Sequence, residues 1–293
     1  MKISVIMYDG GYRERFHIID CLNNQTIDKD MYEILWVEHF DKVKPELERK
    51  ENVKIIKLNR KPPLFISYCW NEGIKRSTGD LLVLIDGDVY IDNYFLETVL
   101  EDHVKNEELV MYFYRLEEPK PLVPPRKLKP IDPGYLKKVC RLTNPVNYGG
   151  CLTVRKKWLL EVNGYEQFEC FAGDVYAGGK ELYTRFKNLG LHVKWNPKVM
   201  LYHPWHPVSY GPYGHSLEKG SFNFKSQHEV IRRRELSLET LPYKGIDPKY
   251  DREPEWWDDW VRKHRASDGE KGGGKKNLIA KTRGFFSRIL GRA

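Results

Sequence analysis

Residues 81–92 read LLVLIDGDVYID, five apolar residues running straight into two aspartates one glycine apart. The apolar run is short enough for a strand buried on both faces. Asp86 and Asp88 then stand where that strand leaves the core. Two carboxylates this close repel each other and raise each other's pKa unless a cation sits beside them. Oxygen ligands suit magnesium, manganese or calcium, and a magnesium-type ion commonly takes only one or two protein carboxylates. An EF-hand loop, with Asp86, Asp88, Asp92 and Glu97 as ligands, fails on Ile91, where glycine is required, and on the strand that stands where a helix should. A solvent-exposed turn is the plainer alternative, because Asp and Gly are common after strands.

Upstream, β-branched runs alternate with helical patterns: KISVIM, a helix-like stretch around Arg13 to Asn24, YEILWVEH, a polar segment, NVKIIKLN, then the helical FISYCWNEGIKRS. This alternation predicts an α/β fold with a mostly parallel, Rossmann-like sheet flanked by helices, in which ligands sit at the carboxyl ends of strands. Six prolines between Glu117 and Gly134 mark a loop. A second region of strands and helices runs from NYGGCLTVRKKWLLEVNGY to VMLYHPWHP, and the chain turns irregular from Ser209. DGEKGGGKK, residues 268–276, reads as a flexible linker.

With 293 residues, 41% of them hydrophobic, the chain can bury one large core or two packed halves. Five cysteines without paired or CxxC spacing argue against a disulfide framework or a structural zinc site and fit a reducing compartment. No run reads as a signal peptide or approaches the ~18 apolar residues of a membrane span, so the expected location is cytoplasmic. Residues 261–293 carry ten Lys and Arg against Asp268 and Glu270, which accounts for the whole formal net charge of +8. The body is therefore neutral, and a nucleic-acid groove within it has no support. In residues 277–293, NLIAKTRGFFSRILGRA, the apolar residues gather on one helical face, as in a basic amphipathic helix lying on the inner face of a membrane. Packing on its own domain or on a second subunit is the alternative.

CWNEGIKRSTGDLLVLIDGDVYI resembles the family 2 glycosyltransferases of the GT-A fold, through Asn71, Gly73, Gly79, Asp80, Asp86 and Asp88. The resemblance continues in SVIM, WVEH, GCLTVRKKWLLEVNGYE, GDVYAGGKELYTRFKNLGLHVKWNP and YHPWHP, covering residues 1–207. It implies a nucleotide-sugar-binding half (1–115) and an acceptor-binding, catalytic half (116–210) of one GT-A domain. A C-terminal extension (211–267), the linker and the tail helix would follow. The implied reaction is inverting transfer of one sugar from a nucleotide diphosphate sugar to an acceptor hydroxyl, with Mn2+ or Mg2+, and a membrane-anchoring tail would suit a surface-polysaccharide or lipid-linked glycan acceptor. Single addition is expected because the Q-x-x-R-W motif and membrane spans of the processive members are missing. The alternatives are a sugar nucleotidylyltransferase, or a non-catalytic glycan- or membrane-binding protein of the same fold.

Residue by residue, the resemblance implies that Asp86, Gly87 and Asp88 hold the metal and the donor, with His203 as a further metal ligand and His206 its competitor. Glu38 would accept a hydrogen bond from the nucleotide base, flanked by Tyr8 and Asp9, although MYDGGY departs from the family's P-T-Y-N-R. Asn71 and Arg76 are expected on the helix before the metal strand, Arg76 facing the diphosphate. The family's E-D and D-L-x-x-R elements map, with an insertion, onto Asp174 and onto Glu181, Leu182 and Arg185. Asp174 is the expected general base and Glu181 the second candidate, with a helix-capping role open to the latter. Trp195 and Trp205 are candidate sugar platforms or core residues.

Overall fold

The computed structural model describes residues 1–123, 128, 130–172, 177–207 and 224–269. Its first compact unit, Met1–Asp251, is built on an eight-stranded sheet. The strands are β1 (Ile3–Asp9), β2 (Tyr32–Glu38), β3 (Val53–Lys57), β4 (Leu81–Ile85), β5 (Leu109–Glu117), β6 (Arg141–Leu142), β7 (Cys151–Arg155) and β8 (His192–His203). Their order is β3-β2-β1-β4-β7-β5-β6, with β8 pairing parallel to β5. β1 to β4 are mutually parallel, and β7 runs antiparallel between β4 and β5. The helices are α1 (His17–Asn23), α2 (Pro45–Glu48), α3 (Ile66–Arg76), α4 (Phe95–Lys105), α5 (Pro133–Val139), α6 (Lys156–Glu161), α7 (Gly178–Asn188) and α8 (Phe224–Ser237).

The period of two along β4 assigns its side chains to two cores. Leu81, Val83 and Ile85 join Ile18, Ile19, Phe95 and Val99 of α1 and α4 on one face. Leu82 and Leu84 join Cys69, Trp70, Ile74, Leu182 and Phe186 of α3 and α7 on the other. All five β4 residues are buried, which is why this strand reads as an unbroken apolar run. α3 lies so close to β1 that a Cβ at Gly73 would stand 2.4 Å from Ile6. Glycine there lets helix and sheet meet.

The first helix begins at His17, later than the stretch from Arg13 suggests. The Asp9 carboxylate explains this: its Oδ1 accepts from the backbone N–H of Gly10 (2.8 Å), Tyr12 (3.2 Å) and Arg13 (3.3 Å), coiling the chain around the end of β1. β5 crosses the expected boundary at residue 115, and α8 packs on α7 within the first unit. A second unit starts at Arg252 and contains α9 (Trp257–Gly269), so Asp268 and Gly269 of the expected linker are helical. In it the Trp257 and Trp260 rings stack 5.4 Å apart. The rest of the linker, the tail at 277–293 and Asp174 lie outside the described residues.

Candidate functional site

The carboxyl ends of β1, β2, β4, β5 and β8 converge on one edge of the sheet, and each ends in an ionisable side chain or, for β4, runs directly into one. Asp88 follows β4, and His203 closes β8. His203 Nε2 lies 3.6 Å from Asp88 Oδ1, His206 Nε2 3.5 Å from Asp88 Oδ2, and the two imidazole Nε2 atoms are 3.3 Å apart. One ligand atom from each of Asp88, His203 and His206 lies within 4.8 Å of the others. A carboxylate and two imidazoles converging in this way form a donor set that fits a divalent transition metal such as Mn2+. The second imidazole nitrogen of His203 is 2.7 Å from Glu117 Oε2, which fixes the ring's orientation, as an outer carboxylate does at metal sites.

Asp86 sits differently from the expectation that it joins Asp88 on the metal. Its Oδ2 accepts from Arg115 Nη1 at 2.5 Å, its Oδ1 lies 3.9 Å from Arg13 Nη2, and it is not in the three-residue cluster. The two aspartates share Arg13 but differ in their other partners, Arg115 for Asp86 and the two histidines for Asp88. A Cβ at Gly87 would meet Trp36 at 2.8 Å and Arg13 Nε at 3.1 Å, so glycine lets the loop lie against both.

The electrostatics follow from burial and partners. Burial opposes charge on Asp88, yet Arg13 and the hydrogen bonds from His203 and His206 hold it well below the usual carboxylate range. Burial raises Asp86 despite Arg115. For His203 burial works against the proton, but the bonds to Asp88 and Glu117 outweigh it and bring the ring up to about 9. Arg115 also donates to Glu117 Oε1 at 2.7 Å, so an alternating chain of charges runs Arg13, Asp86, Arg115, Glu117, His203, Asp88.

Asp9 and Glu38 are register partners on β1 and β2, each 1% exposed. Burial and then the charge of Asp9 push Glu38 up to about 9, so the pair retains a proton at neutral pH. A carboxyl raised in this way stabilises the fold fully below the ordinary glutamate range, and that contribution is lost as pH climbs toward about 9. Glu38→Gln, whose amide does not titrate, is expected to flatten the fall in melting temperature between about pH 5 and 9. Parallel wild-type and variant profiles would contradict this.

A cavity of ≈ 230 Å³ opens beside Asp86 and Arg115, walled by Tyr8, Trp70, Tyr148 and Tyr165. Asn71, expected at the donor, is fully buried, with its side-chain amide bonded in both directions to the Tyr165 backbone (2.8 and 2.9 Å). It ties α3 to the second half of the unit. Arg76 is exposed and pairs with Glu72 at 3.2 Å. α3 runs back across the sheet between parallel strands, so its last turn lies at the edge opposite the carboxylates.

Glu181, the second base candidate, is 0% exposed and makes two 2.8 Å bonds to Arg185. Arg234 Nε lies 3.3 Å from it and Arg234 Nη2 3.0 Å from Glu166. This buried network welds α7 to α8, and solvent does not reach its carboxylate. Trp195 stacks on Tyr112 (5.1 Å) within an aromatic cluster with Tyr148 and Tyr183. Trp205 instead lines a ≈ 350 Å³ cavity with Ile131, Tyr135, Leu136 and Pro204. Arg13, Arg115 and Glu117 escaped the sequence reading. Their signals are charges at the end of an otherwise apolar strand, two residues apart on β5, and a basic residue four positions after Asp9.

Residues 19–162 match the family model described as glycosyl transferase family 2. Over 117 residues the chain is 32% identical to the dolichyl N-acetyl-alpha-D-glucosaminyl phosphate 3-beta-D-2,3-diacetamido-2,3-dideoxy-beta-D-glucuronosyltransferase of Methanococcus voltae, covering 36% of each protein. The chain thus spans little more than a third of that relative. Among solved structures it is similar to S. aureus TarS 1-349 in complex with UDP-GlcNAc (TM-score 0.54, 16% identity, 80% of this chain and 65% of that one). It is also similar to GalNAc-T7 with UDP, GalNAc and Mn2+ (TM-score 0.59, 14% identity, 98% and 54%). At those identities the structural likeness speaks for the shared GT-A-like fold alone, whereas residues 19–162, which take in most of α1, the DGD strand and the antiparallel β7, carry a glycosyl transferase family 2 domain.

Proposed function

We propose that the protein is a metal-dependent, inverting glycosyltransferase that moves one sugar from a nucleotide diphosphate sugar to an acceptor hydroxyl. The convergence of Asp88, His203 and His206 at the sheet edge, with Arg13 and Arg115 beside them, carries the reading. Asp88 and the two histidines would hold the cation, which offsets the charge that develops on the departing diphosphate. Arg13 and Arg115 orient the phosphates, and the aromatic walls of the cavity at Tyr8 and Trp70 shield the donor from water. The cavity at Trp205 and Tyr135 offers the acceptor an apolar and aromatic bed. A lipid-linked glycan acceptor is supported by the dolichyl-linked substrate named for the M. voltae relative, and the complexes of the structural neighbours with UDP-GlcNAc and with UDP and Mn2+ support the donor class. Among the described residues no helix is long and apolar enough to cross a membrane, and we assign the basic tail to the membrane surface.

Asp174 is our choice for the base that takes the acceptor proton. Asp174→Asn is expected to lower kcat by about 10²–10⁴-fold while donor affinity stays unchanged. A comparable loss of donor affinity would remove it from that role. The reaction class is tested by calorimetric titration with UDP and GDP, each with Mn2+ and with chelator. Metal-dependent binding of one of them is expected, and no binding of either would overturn the reading.

A further inference from the structure

Arg13 claims the same carboxylate as the candidate metal. Its Nη1 is paired with Asp88 Oδ2, the oxygen that faces His206 Nε2 at 3.5 Å. Its Nη2 lies 3.9 Å from Asp86 Oδ1, so the guanidinium spans both aspartates. The site around it is built: the side chain is 4% exposed, Nε donates to the Tyr8 carbonyl at 3.2 Å, and the Tyr8 and Tyr12 rings lie 5.5 and 5.3 Å from the guanidinium carbon. It also lines a small cavity together with Arg15, Asp88 and His206.

We propose that Arg13 is a resident counter-ion that a divalent cation must displace from Asp88, and that the diphosphate relieves this competition by taking over the guanidinium. The inference rests on the nucleotide-sugar reading above and adds a coupling to it. A divalent ion between Asp88 and the two histidines would face a buried guanidinium at contact range, and like charges in a poorly solvated site repel strongly. An anionic diphosphate arriving in the adjoining cavity supplies the charge that Arg13 loses. The Nε anchor at Tyr8 keeps the guanidinium within reach of both partners. Metal and diphosphate must then strengthen each other's binding by the same factor.

The test is titration of the full chain with Mn2+, following free Mn2+ by electron paramagnetic resonance, alone and at matched free Mn2+ with UDP or GDP. Wild type is expected to bind Mn2+ at least about tenfold tighter with nucleotide than without it, a typical size for such coupling. Arg13→Gln is expected to bind Mn2+ alone at least about tenfold tighter than wild type and to lose most of the nucleotide effect. Arg13→Lys, which keeps the charge, should stay at the wild-type value. An arginine that only braces the loop would not raise metal affinity when removed. Folded Arg13→Gln with wild-type Mn2+ affinity overturns the proposal. So does a gain in affinity that survives Asp88→Asn in the same chain, which would place the metal elsewhere. If Arg13→Gln does not fold, equal wild-type affinity with and without nucleotide overturns it. Absence of Mn2+ binding under every condition overturns the nucleotide-sugar reading together with it.

Discussion

Asp88→Asn is expected to abolish metal-dependent nucleotide binding and to lower turnover by at least about 10²–10³-fold, the range seen when one preorganised charge-stabilising group is lost. The asparagine keeps the shape of the side chain but removes the negative charge shared by Arg13, His203 and His206. Arg13 retains Asp86 at 3.9 Å, so the fold is expected to survive, as circular dichroism would show. Asp86→Asn provides the contrast. Asp86 is held by Arg115 and Arg13, outside the three-residue cluster, so its loss should weaken nucleotide binding and leave Mn2+ binding largely intact. Equal loss of Mn2+ in both variants would return Asp86 to the metal.

The other large effect concerns stability. Glu181→Ala leaves the guanidinium of Arg185, 0% exposed, without its two-pronged partner and deprives Arg234 of a carboxylate at 3.3 Å. Arg185 keeps the Val162 and Gly164 carbonyls at 2.5 and 2.6 Å, but these carry no full charge. Breaking a buried pair from one side costs about 3–5 kcal/mol, a large fraction of an ordinary domain's stability. Urea unfolding would read this as a lower midpoint. Were Glu181 the catalytic base, Glu181→Gln would instead give a protein of normal stability with no turnover, and that result would sink the structural assignment.

These variants mark where the sequence was legible and where it was not. β4 could be read because a strand buried on both faces must be apolar at every position, and its polar end then has to lie at the edge. α3 could be read from its apolar spacing, yet the direction it runs puts Arg76 at the wrong edge, and direction is a property of the crossover. Asn71 and Glu181 sit in motif positions and are polar, which made them look like donor or base residues. Arg185, four positions along α7, is a local partner of Glu181, but the Tyr165 backbone at Asn71 and the second arginine at Glu181, Arg234, lie 94 and 53 positions away, and only tertiary folding brings them in. The antiparallel course of β7 was equally hidden, since composition sets that a strand forms and pairing sets which way it runs. Arg13 and Arg115 were passed over because a lone arginine near a strand end is most often solvated. What distinguishes these two is burial against carboxylates from other strands.

The most direct measurement is an anomalous-difference map from crystals grown with Mn2+ and the nucleotide diphosphate that binds. One peak is expected at direct coordination distance from a carboxylate oxygen of Asp88 and from at least one of the His203 and His206 imidazoles, with the diphosphate completing the shell. A manganese ion bound elsewhere, or a diphosphate seated at the sheet edge with no metal between it and Asp88, would contradict it.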